Sequence, residues 1–224
     1  SLGRPLHQVN GHCILSESGS RILFESIRGK SNTGAVTVDG WLSTDESKKY
    51  EVVVLVDGVP LASELTDDTL ATLRGNLSGW ISVTGQREAL ATRVGIGELK
   101  ISGGHLEVDP LSTTAMSVLN LTIPSASTIE GANILLHIEG NQLILDNIKL
   151  VSRDSNISDF VLEGTGSMDI DSFKLHARLH PRMGIPIIRD IAGVLNDQLY
   201  AIDITGELLN PNFFIVPLPF LSPP

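Results

Sequence analysis

The chain has one cysteine, Cys13, which excludes an internal disulfide; in an oxidising compartment packing alone would hold it together. Aromatic residues make up only 4% of it, so its apolar surface is built from Val, Ile, Leu and Ala. Such a surface suits core packing or hydrocarbon chains better than sugars, which stack on rings. Cationic residues are also sparse: the net charge is −10, and no Lys/Arg cluster is longer than Lys48-Lys49. That excludes the basic stripe of a nucleic-acid binder and strong attraction to an anionic membrane surface. No apolar run approaches the length of a membrane-spanning helix. Nucleophile-elbow, phosphate-loop and Cys-x-x-Cys patterns are missing as well. There is no initiating Met and no signal-peptide pattern, which leads us to expect a fragment of a longer polypeptide. Any export signal or membrane anchor is then expected outside it.

What the sequence does contain is alternation. From Ala132 to His180 apolar residues fall on one parity and polar residues on the other. Ile134, Leu136 and Ile138 alternate with Asn133, His137 and Glu139, with Leu135 the exception. After a Gly140-Asn141 turn come Leu143 and Leu145, then Ile148 and Leu150; the slip in parity predicts a bulge at Asp146-Asn147. Phe160, Leu162, Gly164, Gly166, Met168 and Ile170 continue the apolar parity, as do Phe173, Leu175, Ala177 and Leu179. A period of two means strands with one apolar and one wet face.

Elsewhere the chain reads in the same style. Residues 1–12 read as a loose lead-in, Cys13–Leu15 and Ile22–Ile27 as strands around a Ser16–Ser20 turn, and Val36 and Val38 as one face of the next. The apolar run Tyr50–Val56 predicts a strand covered on both faces, ended by an Asp57-Gly58 turn. Ile81 and Val83 point inward on a later strand, and Gly103-Gly104 reads as another turn. Short helices are expected at Thr66–Arg74, 111–121 and 187–196 from capping residues and helical spacing. Pro181–Pro186 reads as a turn, Leu199–Glu207 as a strand, and Phe213–Leu221 as an apolar tail beyond the last regular element. Units of the form Gly-x-apolar-x-apolar-x-Gly start at 34, 79 and 97, and loosely at 166, without a fixed period, so this is no solenoid.

Three polar constellations invite chemistry. His176 and His180 on a strand lie about 13 Å apart, too far to share one metal ion. Asp169 and Asp171, about 7 Å apart on one face, have the spacing of a glycosidase pair, but no cleft is implied. Cys13 and His12 are adjacent and point to opposite sides of a strand, which excludes a dyad. Neither catalytic residues nor metal ligands nor a cofactor are expected. Trp41 and Trp80 fall on the polar parity, where a rim or neighbouring segment could use them.

The remaining signal is quantity. About a dozen strands stand against two or three short helices, so the apolar faces outnumber the material able to cover them. Two readings stay open on pattern alone: an ordinary self-covered core, and an open apolar groove.

The order Leu73-Arg-Gly-Asn-Leu-Ser-Gly-Trp-Ile-Ser-Val-Thr-Gly85, Gly95-Ile-Gly-Glu-Leu-Lys-Ile-Ser-Gly-Gly-His-Leu106, Ile144-Leu-Asp-Asn-Ile-Lys-Leu-Val-Ser152, Leu162-Glu-Gly-Thr-Gly-Ser-Met-Asp-Ile170 and Ile202-Asp-Ile-Thr-Gly-Glu-Leu-Leu-Asn-Pro211 resembles the C-terminal region of the AsmA-like proteins. This bacterial envelope family includes TamB and YhdP. The resemblance covers residues 70–211, with 1–69 as further strands of one domain spanning 1–224. It implies a mainly β fold, an elongated, curved antiparallel sheet forming an apolar trough capped by short helices. It also implies a non-enzymatic, periplasmic domain, anchored to the inner membrane by a segment outside this chain, that carries phospholipid between the inner and outer membranes. The expected wall residues are Ile134, Leu136, Ile138, Leu143, Leu145, Phe160, Leu162, Met168, Leu175 and Leu179. Expected partners are acyl chains and another β domain continuing the sheet edge to edge. The alternative is a structural or adhesive β-module with protein partners.

Overall fold

The structure is a computed structural model; it describes residues 6–31, 33–60, 73–106, 129–154, 157–183, 200–208 and 210–217. Those residues form one antiparallel sheet of twelve strands in sequence order. The strands are β1 (His7–Leu15), β2 (Arg21–Ser31), β3 (Gly34–Ser43), β4 (Lys49–Pro60), β5 (Leu73–Gln86) and β6 (Ala89–Leu106). They continue with β7 (Ile129–Glu139), β8 (Gln142–Asp154), β9 (Ile157–Asp169), β10 (Lys174–Met183), β11 (Tyr200–Glu207) and β12 (Asn210–Pro217). Each strand pairs with its sequence neighbours, and β1 and β12 are the two edges of an open sheet. The strand-dominated fold expected from the alternation is therefore observed, and the sheet is antiparallel as expected.

Tight turns make such a meander possible. Between β7 and β8, Glu139 pairs with Gln142 across the two residues Gly140 and Asn141. Gly140 has φ +58°, and a glycine at the first loop position is what a type II′ hairpin turn requires. Between β9 and β10 the Asp169 carboxylate accepts hydrogen bonds from the Ser172 amide and hydroxyl, both at 2.7 Å, and fastens the turn.

Several expectations are corrected. Residues 7–12 belong to β1, and Asn210–Pro217 is β12, so the lead-in and much of the tail are edge strands. Asp57-Gly58 and Gly103-Gly104 are not turns: β4 and β6 run through them. Register shifts there, with φ +59° at Gly58 and at Gly103, mark bulges, since a positive-φ glycine serves either purpose. The bulge at Asp146-Asn147 is present, as the register shift between Leu145 and Ile148 shows. β4 is not covered on both faces, because Leu55 is exposed. Residues 181–183 extend β10, and Leu73 and Arg74 open β5 rather than closing a helix. The rest of that helix, residues 66–72, and those expected at 111–121 and 187–196 lie outside the described residues.

The tightest packing lies toward the C-terminal half. Ile148, Leu162, Ala177 and Leu179 form a buried cluster, flanked by half-buried Ile134, Leu145, Leu150, Leu175, Ile202 and Ile204. Two glycines let the strands close up there. A β-carbon on Gly166 would lie 2.7 Å from the Ala177 β-carbon, and one on Gly164 would overlap the Arg178 carbonyl oxygen.

Candidate functional site

Directly opposed residues of antiparallel strands share a face, so the register traces rows across the sheet. One row runs Cys13, Phe24, Gly40, Val52, Val83, Gly95, Ile138, Leu143, Met168, Leu175, Gly206, Pro211, with one residue from every strand. The next runs Ile27, Val38, Val54, Ile81, Gly97, Leu136, Leu145, Gly166, Ala177, Ile204, Phe213 from β2 to β12. A third runs Gly29, Val36, Val56, Gly79, Leu99, Ile134, Ile148, Gly164, Leu179, Ile202, Ile215. None of the three contains a charged side chain. At about 4.8 Å per strand they form an apolar band about 50 Å long, measured along the sheet.

The expected wall residues all fall on this face. Leu143 opposes both Ile138 and Met168, Met168 opposes Leu175, and Leu145 opposes Leu136. Leu162 opposes Leu150, and Phe160 opposes Ser152 at the margin, where the backbone alone places it. Their burial differs. Leu136, Ile138, Leu162 and Leu179 are buried, while Ile134, Leu143, Leu145, Met168 and Leu175 keep part of their surface accessible. The first group is sealed within the sheet, and the second remains partly accessible.

The N-terminal half of the band was not among the expected wall residues: Val36, Val38, Val52, Val54, Val56, Ile81, Val83 and Leu99 are all half-buried and continue the same rows. The alternation around Val36, Val38, Ile81 and Val83 was the available signal. Only the register joins those strands to the C-terminal ones.

The opposite face is mixed. Trp41 lies there, donating its indole N–H to the Glu51 carboxylate at 3.1 Å and receiving the Arg21 guanidinium 4.2 Å from its ring centroid. Trp80 opposes Leu55 and Glu98 on the same side. Arg178 holds Asp203 through two hydrogen bonds of 2.6 and 2.7 Å, and this pairing keeps the Asp203 carboxyl below the ordinary aspartate range. Glu98 is lowered likewise, by Lys100 first and then by the Asn133 amide. A shallow hollow of about 350 Å³ opens by the β8 bulge, lined by Ile144, Asp146, Thr165, His176 and Arg178 among others. Its charges are already engaged, Arg178 by Asp203 and Asp146 by His137 at 2.8 Å.

The polar constellations resolve into structure. Asp169 ends β9, and its carboxyl is lowered by the Ser172 amide and hydroxyl that it binds. Asp171 lies in the turn beyond, so the two do not form a pair across a strand face. His176 and His180 lie on β10 opposite Ser167 and Glu163. Among the described residues no group of three His, Cys, Asp or Glu side chains could hold a metal ion, and no helix is long and apolar enough to cross a membrane.

Comparisons of this chain with protein-family models, with curated proteins and with solved structures found no match.

Proposed function

We propose that this chain is a non-enzymatic lipid-binding domain of a bacterial envelope protein. Its apolar face would curve into a trough that holds acyl chains during phospholipid transport between the inner and outer membranes, in the periplasm. The observation that carries this reading is the set of three charge-free rows crossing the sheet, with half-buried aliphatic side chains along most of their length. Each methylene moved from water onto such a surface gains about 0.8 kcal/mol without directional contacts. Binding of that kind tolerates different head groups and lets a chain slide. The crowded glycines at 40, 79, 95, 97, 164 and 166 support curvature toward the apolar side, since their neighbours leave no room for a β-carbon. The resemblance to the AsmA-like region points the same way, and another β domain would extend the band edge to edge.

Native mass spectrometry of the chain after mild extraction from cells tests this reading. Co-purifying phospholipid is expected, together with a rise in apolar-dye fluorescence that added acyl chains reverse. A lipid-free chain that does not bind the dye overturns it.

The buried cluster of Ile148, Leu162, Ala177 and Leu179 favours a second reading, a structural β-module that covers its own core. That module would bind neither dye nor lipid and would show the same stability with or without detergent.

A further inference from the structure

Two more rows border the apolar band. On one side a row from Val59 of β4 to Pro181 of β10, through Ile101 and Leu150, is again uncharged. On the other, the hairpin side, Leu15, Ile22, Leu42, Tyr50 and Gly85 run from β1 to β5. Arg93 of β6 continues this second row. Val94 opposes Thr84 and Glu139 on the mixed face, so Arg93 and Gly95 on either side of it belong to the apolar face. The Arg93 carbonyl accepts the Gly140 amide at 2.8 Å, and a β-carbon on Gly85 would lie 3.2 Å from the Arg93 α-carbon. Its neighbours in the row are thus two glycines. Across the five rows Arg93 is the one charged residue. It is half-buried, yet among the described residues its guanidinium has no hydrogen-bond or ion-pair partner. The Tyr50 hydroxyl, 3.0 Å from the position of that same Gly85 β-carbon, has none either. An unpaired cation and an unpaired hydroxyl therefore flank one glycine at the end of the band.

We infer that Arg93 is the headgroup anchor of the apolar face, binding the phosphate of a phospholipid whose acyl chains lie across the rows. The inference rests on the lipid-binding reading and adds the polar end of the guest to it. Charge selects the occupant. In a chain of net charge −10 the one charge on the apolar face is a cation, and a guanidinium offers paired N–H donors that match phosphate oxygens. The Tyr50 hydroxyl is a further donor beside it. Length agrees. From Gly95 to Ile101 the apolar positions of β6 extend about 20 Å. Half of a bilayer's hydrocarbon core is about 15 Å thick, so a chain anchored at Arg93 stays on aliphatic surface to its end. The phosphate is common to phospholipids, so this anchor leaves the group beyond it unread.

The full chain is titrated with a short-chain fluorescent phosphatidylglycerol and with a diacylglycerol bearing the same labelled chains. Wild type should bind the phospholipid roughly tenfold tighter than the diacylglycerol. Arg93→Gln should abolish that preference and leave diacylglycerol binding unchanged, whereas Arg21→Gln, the same change of net charge on the opposite face, should preserve it. Urea midpoints establish that both variants fold. Equal affinity of wild type for the two lipids, a preference that survives in Arg93→Gln, or one lost equally in Arg21→Gln overturns the anchor and leaves the lipid surface standing. Binding of neither lipid overturns both.

Discussion

Gly164 of β9 lies directly opposite Leu179 of β10, so close that a β-carbon on Gly164 would overlap the carbonyl oxygen of Arg178. The obstacle is backbone and does not rotate away. Gly164→Ala should therefore cost about 1–3 kcal/mol, the usual range for overpacking a tight site. Gly131→Ala serves as the control, because its nearest neighbour would be 3.3 Å away and little must move. Urea denaturation of the two variants measures the difference; equal midpoints would show that β9 and β10 have room to spare.

Leu179 and Leu143 share the apolar face but differ in burial, with Leu179 only 2% exposed and Leu143 half-buried. Leu179→Ala should lower stability by about 2–4 kcal/mol through the cavity it leaves. Leu143→Ala should cost roughly half as much or less, and should weaken acyl-probe binding more than stability. Thermal melts and fluorescence titrations on the same samples separate the two effects.

Ile81 sits mid-band between Val54 and Gly97, whereas Ile96, 58% exposed, lies on the opposite face. Ile81→Asn brings an amide to the proposed lipid surface, where a hydrocarbon chain offers it no partner. A severalfold loss of affinity for a fluorescent fatty acid is expected, against none for Ile96→Asn. Equal losses, or none in either, would place the binding surface elsewhere.

Asp203 is held below its ordinary pKa by Arg178. A lowered carboxyl contributes stability that is full above the unfolded value, about 3.9 for aspartate, and is lost as pH falls through the folded value. Wild type should therefore lose more stability than Asp203→Asn when acidified from about pH 4.5 to pH 2. At neutral pH the variant should be slightly less stable than wild type, and by less than Leu179→Ala. Denaturation midpoints across that window give the comparison.

Much of the sheet is legible residue by residue. The parity slip after Leu145 located the β8 bulge, and the Gly140-Asn141 pair located a hairpin. Where the reading failed, local chemistry had two uses. Gly58 and Gly103 have the positive φ of turn residues, yet the strands continue past them, because partners on both sides hold the chain extended. The run from Tyr50 to Val56 read as doubly covered, although Leu55 faces solvent; among the described residues the sheet has no second layer to cover it. β12 and the part of β1 before Cys13 were missed as strand because proline and glycine interrupt their alternation, and pairing along a single side is enough to form them.

The sequence by itself determined that strands dominate and which side chains of each strand share a face, because side-chain direction alternates with a period of two whatever the surroundings. Tertiary structure alone decided that these faces join into charge-free rows crossing the sheet, since register is a relation between strands far apart in sequence. It also decided which of the aliphatics are sealed and which stay open. That depends on how near the neighbouring strands approach at glycines such as Gly164 and Gly166.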